Sequence, residues 1–233
     1  MNNLFTFGCS FTEGFNENHD PYQEYKNLRG GTLPKHWTEL LSNKLNVNLH
    51  NHGVGGTGNQ HIFSSFCKRV NEFKTDDMVI INWTFMERFR VSNSDGSNWL
   101  HLGPSIKKKQ NDDVISDECL DMICLNRTLK PYRDEIYDYE KIIDKLSKEI
   151  GFGVYYWTII NELIYNQPKD ILNQKKYLLN DYIKNQFDNT FSVILKNGGL
   201  RIYEETDGLI DDWHMGESGH RIQAELFYEH ITK

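Results

Sequence analysis

The residues of this sequence that could carry out a reaction together lie near its two ends. Ser10 follows the apolar residues 4–7 in the stretch Gly-Cys-Ser-Phe-Thr-Glu-Gly, whereas Asp211 and His214 occur close to the carboxyl terminus in Asp-Asp-Trp-His. A serine hydroxyl becomes a good nucleophile when an imidazole removes its proton, and a carboxylate holds that imidazole in one tautomer. These residue types predict Ser10 as nucleophile, His214 as base and Asp211 as orienting carboxylate.

The first third of the chain predicts a scaffold that could position them. Apolar runs at residues 4–7, 47–49 and 77–84 predict buried strands, and apolar residues at helical spacing lie between them. This β-α-β-α-β order predicts a three-layer α/β/α fold with a central parallel sheet and flavodoxin-like topology. Because ligands bind at the carboxyl ends of such strands, Ser10 is expected at the functional rim.

The remainder of the chain fits one domain, residues 1–233. Further strands are predicted at 154–157 and within 193–203, and helices at 132–150, over most of 160–190 and from about residue 218. Two segments lack a clear period: residues 16–32, interpreted as a polar loop, and residues 90–130, interpreted as an irregular insertion with a short helix.

Charge and composition exclude some classes of function. The net charge of -7 argues against a general affinity for nucleic acid, which requires clustered basic residues. No apolar run approaches the roughly 20 residues of a membrane helix, and no secretion signal is visible, so a cytoplasmic location is expected. The cysteines (Cys9, Cys67, Cys119 and Cys124) show no metal spacing and are interpreted as reduced thiols.

Other readings of the same residues remain open. Cys9 could replace Ser10 as nucleophile, although adjacent residues of an extended chain point in opposite directions. The glycine-rich residues 53–58 fit a dinucleotide-binding pattern, but no acidic residue follows the next strand to bind a ribose. A metal site built from His50, His52, His61 and Asp211 is disfavoured, and neither metal nor cofactor is predicted. Trp213 is the best candidate for a substrate contact.

Together these segments resemble the SGNH/GDSL hydrolase family. Its opening Gly-Asp-Ser-Leu block is matched by residues 8–11, its Asn-x-Gly-x-x-Gly block by residues 51–56, and its Asp-x-x-His block by residues 211–214. The resemblance implies that the backbone amides of Ser10 and Gly56 stabilise an oxyanion.

One family feature is missing. The family carries a further oxyanion donor, an Asn, after the central strand, but here that position falls on Met86. Asn82 and Thr84 are the substitutes that the sequence offers, and loss of one such donor typically costs about 10²- to 10³-fold in turnover.

The resulting hypothesis is a serine esterase that acts on a small acylated substrate, with an acetylated carbohydrate as one candidate. The missing Asn favours an alternative, a catalytically weak or inactive binding module. Acyl transfer to an acceptor other than water would use the same residues. No partner protein, nucleic acid or membrane is predicted, and the sequence does not give the oligomeric state.

Overall fold

A parallel sheet forms the framework of the protein. The computed structural model describes residues 2–16, 19–85, 88–92, 99–102, 129–159, 176–179 and 189–233. The strands are β1 (Asn3–Gly8), β2 (Asn48–Gly53), β3 (Met78–Trp83), β4 (Phe89–Ser92), β5 (Trp99–Leu102) and β6 (Gly153–Thr158). Four of them form a parallel sheet in the order β2-β1-β3-β6, and β4 pairs with β5 as a separate antiparallel hairpin. This order of parallel strands is that of flavodoxin-like folds, as predicted.

Helices cover both faces of the sheet. They are α1 (Ser10–Glu13), α2 (Asp20–Leu28), α3 (Trp37–Leu45), α4 (Asn59–Arg69), α5 (Leu129–Ile150), α6 (Thr190–Lys196), α7 (Ile202–Glu205) and α8 (Glu217–Thr232). On one face α4 and α5 pack together, with the rings of Phe63 and Tyr139 stacked at 4.0 Å. On the other, Trp37 of α3 meets Trp157 of β6 and Phe227 of α8. The predicted three-layer α/β/α fold is therefore confirmed.

The buried strand residues explain why β1 and β3 form the centre of the sheet. Every residue of β3 is buried, as are all but the first of β1. Parallel strands covered by helices on both faces read as continuous apolar runs, which is the pattern that predicted them. β1 lies between β2 and β3, so the chain leaves its carboxyl end at the middle of one rim of the sheet.

Two predictions about secondary structure are wrong. Residues 16–32, interpreted as a loop, contain helix α2, whose Tyr22 and Tyr25 pack with Ile202 and Ile210 in a small second core. The strand predicted within 193–203 is replaced by helices α6 and α7, separated by a turn. Short apolar runs do not distinguish a strand from a buried helix, and here Asn189 caps α6 through Ser192 N–H.

Other predictions are confirmed or lie outside the described residues. Helix α5 contains the predicted residues 132–150, and α8 begins one residue before Ser218. The predicted irregular insertion (90–130) contains β5 and most of β4, whereas its residues 93–98 and 103–128, with Cys119 and Cys124, lie outside the description. Most of the predicted helical segment 160–190 does too. Within the described part, no helix combines the length and apolarity needed to cross a membrane.

A buried carboxyl group joins α5 to the sheet. Glu140 Oε1 accepts hydrogen bonds from Trp83 Nε1 (2.8 Å) and from Tyr177 OH (2.5 Å). Burial raises the pKa of Glu140 from 4.5 to about 7, despite those two hydrogen bonds. The folded protein therefore binds a proton at this carboxyl group more tightly than the unfolded chain does.

This raised pKa predicts a pH-dependent stability. The contribution of Glu140 is fully present below pH 4.5 and is lost as the pH rises to about 7, by about 3 kcal/mol. Glu140→Gln, which keeps an acceptor for both donors, should remove this loss. Urea unfolding at pH 5 and pH 8 should show the variant gaining about 2–3 kcal/mol on the wild type between the two. Exposed Glu149 on the same helix provides the control, Glu149→Gln, and equal pH dependence in both variants would contradict the expectation.

Candidate active site

The nucleophile candidate lies in a tight turn after β1. Ser10 begins the short helix α1, directly after Cys9, and Thr12 and Glu13 N–H groups donate back to the Cys9 carbonyl. Asn51 at the end of β2 holds the turn from one side, because its Nδ2 donates to the carbonyls of Thr12 (2.7 Å) and Glu13 (3.2 Å). The turn is thereby fixed at the rim of the sheet.

Gly53 allows this close approach of β2 to the turn. A Cβ atom at Gly53 would lie 2.3 Å from the Glu13 nitrogen and 2.4 Å from the Thr12 carbonyl carbon, closer than non-bonded atoms can approach. The glycine therefore permits backbone-to-backbone packing between the second glycine-rich segment and the nucleophile turn.

The segment before α8 carries the imidazole to the same rim. Ile202 N–H donates to the His214 carbonyl and Tyr203 N–H donates to the Asp212 carbonyl, each at 2.9 Å. Met215 also forms a bridge with Arg201. These contacts fasten the segment to the start of α7, so the position of His214 depends on two parts of the fold.

The structure brings Ser10 and His214 together, as the sequence predicted, but with a different carboxylate. His214 Nε2 lies 2.8 Å from Ser10 Oγ, and His214 Nδ1 lies 2.6 Å from Asp212 Oδ1. Asp211, predicted for this contact, instead accepts a hydrogen bond from Trp213 Nε1 at 3.1 Å. The assignment of Asp211 as the residue that orients the imidazole is therefore wrong in this structure.

The local backbone explains the correction. Asp212 Oδ1 also accepts the backbone N–H of His214 at 2.8 Å, which is an Asx-type turn between residues two apart. Asp212 is buried, with 4% of its surface exposed, whereas Asp211 is exposed. The spacing of an Asx turn was the signal in the sequence that could have identified Asp212.

The carboxylate of Asp212 also fixes the tautomer of the base. Burial opposes ionisation of Asp212, but hydrogen bonds and charge from His214 outweigh it and lower the pKa of the carboxyl group. An ionised carboxylate only accepts hydrogen bonds, so Nδ1 carries the ring proton and Nε2 presents its lone pair to the Ser10 hydroxyl. Ser10 can then transfer its proton to His214.

An open cavity of about 680 Å³ lies in front of these residues. It is lined at its base by Ser10, His214 and Asp212 and at its sides by residues from several loops: Glu13, Asn16, His19, Pro21, Tyr22, Gly55, Gly56, Arg88, Asp211 and Trp213. The sequence analysis did not identify Glu13, His19 or Arg88 as site residues. Cavities of this size hold small molecules, and a few convergent polar groups orient them.

The structure distinguishes among the oxyanion-donor candidates. Gly56 lines the cavity with a φ of 72°, a conformation that glycine adopts without strain. Asn82 is fully buried and its Oδ1 faces Cys9 Sγ and Thr12 Oγ1, each at 3.4 Å. Thr84 pairs through its backbone with the side chain of Asn59. Asn82 and Thr84 thus support the nucleophile turn and the β3 loop and do not line the cavity, contrary to the expectation of a third donor.

Acidic and basic groups surround the triad candidate. Burial raises the pKa of Glu13, although the Gly55 N–H and the charges of His19 and His214 act in the opposite direction. His19 Nε2 lies 3.8 Å from the second oxygen of Asp212. The Tyr22 hydroxyl is buried beside these carboxylates, which raises its pKa.

Two further histidines lie behind His214. His36 caps α3 and stacks against His220 of α8, with ring centroids 4.3 Å apart. Burial lowers the pKa of His36 to about 3 and that of His220 well below its ordinary value, so both rings are neutral. His220 was interpreted as structural, and its buried position agrees with that.

Trp213 lies at the edge of the cavity with 55% of its surface exposed. The Tyr203 ring stacks on it at 5.2 Å and 6°, and Arg201 Cζ lies 4.8 Å from its centroid. The ring is thus already held by protein groups, so its exposed remainder is what a substrate could contact.

The other sequence alternatives lose their geometric basis. Cys9 is buried against Asn82, and it is Ser10 that meets His214. His50 and His52 stack on Phe5 and Phe7 along the edge of the sheet. Among the described residues, no group of three or more His, Cys, Asp and Glu side chains is arranged to hold a metal.

Comparisons with known proteins give distant structural likeness. Over 99% of both chains, the protein is similar to a lipolytic-type protein of the G-D-S-L family from Desulfitobacterium hafniense DCB-2, with 13% identity and a TM-score of 0.46. Over the full length of both chains, it is similar to a member of the lipolytic protein G-D-S-L family from Veillonella parvula DSM 2008, with 14% identity and a TM-score of 0.44. No family model and no curated protein matches the chain.

Proposed function

We propose that the protein is a serine esterase that cleaves short acyl esters through an acyl-enzyme on Ser10. The observation that carries the proposal is the unbroken chain of contacts from Ser10 Oγ through His214 to Asp212, with distances of 2.8 and 2.6 Å. A nucleophile, a base in hydrogen-bond reach and a group that orients the base are the parts that acyl transfer requires.

In the first half of the reaction, Ser10 Oγ attacks the ester carbonyl while its proton passes to His214 Nε2. The backbone amides of Ser10 and Gly56 are proposed to donate to the oxyanion that forms. The imidazolium is stabilised by the Asp212 carboxylate and then gives its proton to the departing alcohol. The acyl group remains bonded to Ser10.

In the second half, water takes the place of the alcohol. His214 accepts a proton from the water, whose oxygen attacks the acyl carbonyl, and the same proton returns to Ser10 as the acid leaves. Activity should therefore fall toward acidic pH, because an imidazolium cannot accept a proton. An acid-side profile that stays flat to pH 4 would count heavily against His214 as the base.

The cavity suits small acylated molecules. Its volume of about 680 Å³ and its open mouth accommodate a short acyl group together with part of an alcohol. An O-acetyl group on a carbohydrate is one such substrate, and the exposed part of Trp213 would provide an apolar contact for the sugar.

Covalent labelling tests the proposal directly. Incubation with a fluorophosphonate should add one phosphonyl group, and peptide mass spectrometry should locate it on Ser10. Pre-treatment at acidic pH, which protonates His214, should slow the labelling. An intact protein that remains unlabelled at pH 8 would indicate the alternative of a binding module without catalysis. Analysis of products with an added alcohol would separate hydrolysis from acyl transfer.

A further inference from the structure

One cationic side chain of the cavity has no acidic partner. Arg88 lies between β3 and β4, and its side chain lines the cavity together with Ser10. Its Nη1 makes a long hydrogen bond of 3.5 Å to Thr84 Oγ1, and its Nε is buried without an acceptor. The arginine ion pairs within the described part of the chain belong to other residues, namely Arg29, Arg69 and Arg201.

The acidic groups of the cavity are already engaged elsewhere. Asp212 contacts both His214 and His19, and Asp211 accepts from Trp213 Nε1. Glu13 accepts the Gly55 N–H, and the charges that act on it are those of the two histidines. The positive charge of Arg88 is thus left without a counter-charge among the described residues of a partly enclosed cavity.

We infer that Arg88 forms a subsite for a negatively charged oxygen group of the substrate, a carboxylate or a phosphate, so that the preferred esters are anionic. This inference rests on the proposed function, since it assigns a substrate class to the same cavity.

The chemistry of the side chain supports this assignment. A guanidinium remains protonated at any physiological pH and presents its N–H groups as a planar fork, which matches the two oxygens of a carboxylate or phosphate. Stacking on Phe85, with Cζ 4.8 Å from the ring centroid, limits the orientations of that fork. An anion bound there would also provide the missing acceptor for the buried Nε.

Matched ester pairs test the subsite. The mono-p-nitrophenyl ester of glutarate is compared with p-nitrophenyl pentanoate, which places the charge on the acyl side, and 4-acetoxybenzoate with its methyl ester, which places it on the alcohol side. In at least one pair, Arg88→Gln should lower the charged-to-neutral ratio of kcat/KM by about 10- to 100-fold, because a charged hydrogen-bonding partner is lost. Inhibition constants for glutarate and inorganic phosphate would rank the two anions.

Two further variants control the experiment. Arg69→Gln removes the same charge from an exposed arginine that pairs with Glu72 outside the cavity, and it should leave the ratio unchanged. Arg88→Lys keeps the charge but loses the fork, so its ratio should lie between those of the wild type and Arg88→Gln. Equal losses for the charged and neutral esters in Arg88→Gln, or an unchanged ratio, would overturn the inference.

A binding measurement separates this inference from the proposed function. Ser10→Ala should bind the glutarate ester without turning it over, and calorimetry should show weaker binding in Ser10→Ala/Arg88→Gln by a similar factor. If the wild type is neither labelled by fluorophosphonate nor active, the esterase proposal fails, and the binding difference alone decides the subsite. Equal affinity in the two variants would refute the anion subsite even if the esterase proposal stands.

Discussion

Replacing Ser10 by alanine is expected to lower kcat/KM for p-nitrophenyl acetate by about 10⁵- to 10⁶-fold, to a level at or near the uncatalysed rate. Losses of this size follow removal of a serine nucleophile that works together with its base, because no covalent intermediate can form. The hydroxyl is in reach of His214 at the rim of the sheet, and the substitution removes only one oxygen from a half-buried side chain. The fold should therefore be retained.

The measurement combines initial rates with thermal unfolding. Cys9→Ala provides the matched control, since it removes the adjacent thiol, which is buried and faces Asn82. That variant should keep its activity within a few-fold and should still be labelled on Ser10. If Ser10→Ala retains full activity, or if Cys9→Ala is the variant that loses it, the assignment of the nucleophile is incorrect.

The second large effect distinguishes two neighbouring carboxylates. Asp212→Asn should lower kcat by about 10⁴-fold, because an amide at this position no longer fixes the tautomer that presents Nε2 to Ser10 or stabilises the imidazolium. Asp211→Asn makes the same chemical change on a side chain that meets Trp213 Nε1. Its effect on kcat should be less than about 5-fold, as for most exposed side chains that do not contact the reacting groups.

This pair of variants also tests the geometry of the loop. Asp212 accepts both the ring Nδ1–H and the backbone N–H of His214, so its replacement should also shift the pH profile of kcat. A large loss in Asp211→Asn with near-normal activity in Asp212→Asn would mean that the loop rearranges in the active protein.

The parts of the fold that could be predicted were those with long or repeated patterns. The continuous apolar run of β3, the spacing of apolar residues in α3 and α8, and the order of the first elements were sufficient for the parallel sheet. The helix α2 was missed because its buried Tyr22 and Tyr25 lie among polar residues. Their burial depends on Ile202 and Ile210 from the other end of the chain.

The candidate site shows the same division. The pairing of Ser10 with His214 was predicted because both residues belong to recognisable local patterns, and β1 and α8 bring those patterns to one rim. The choice between Asp211 and Asp212 depends on which carboxylate turns toward the imidazole, and the backbone bonds of the segment to α7 decide this. Arg88 had no signal in the sequence, since an arginine in a loop is ordinary until its neighbours are known.

The sequence alone determined the layered fold, the rim on which the site lies, and the residue types available as nucleophile and base. These follow from periodicity and chain order, which are local properties of the polypeptide. Only the tertiary structure decided which carboxylate holds His214, that Asn82 supports the turn and does not enter the cavity, and that Arg88 lacks a counter-charge. Those outcomes depend on distances between segments remote in the chain, which no local pattern encodes.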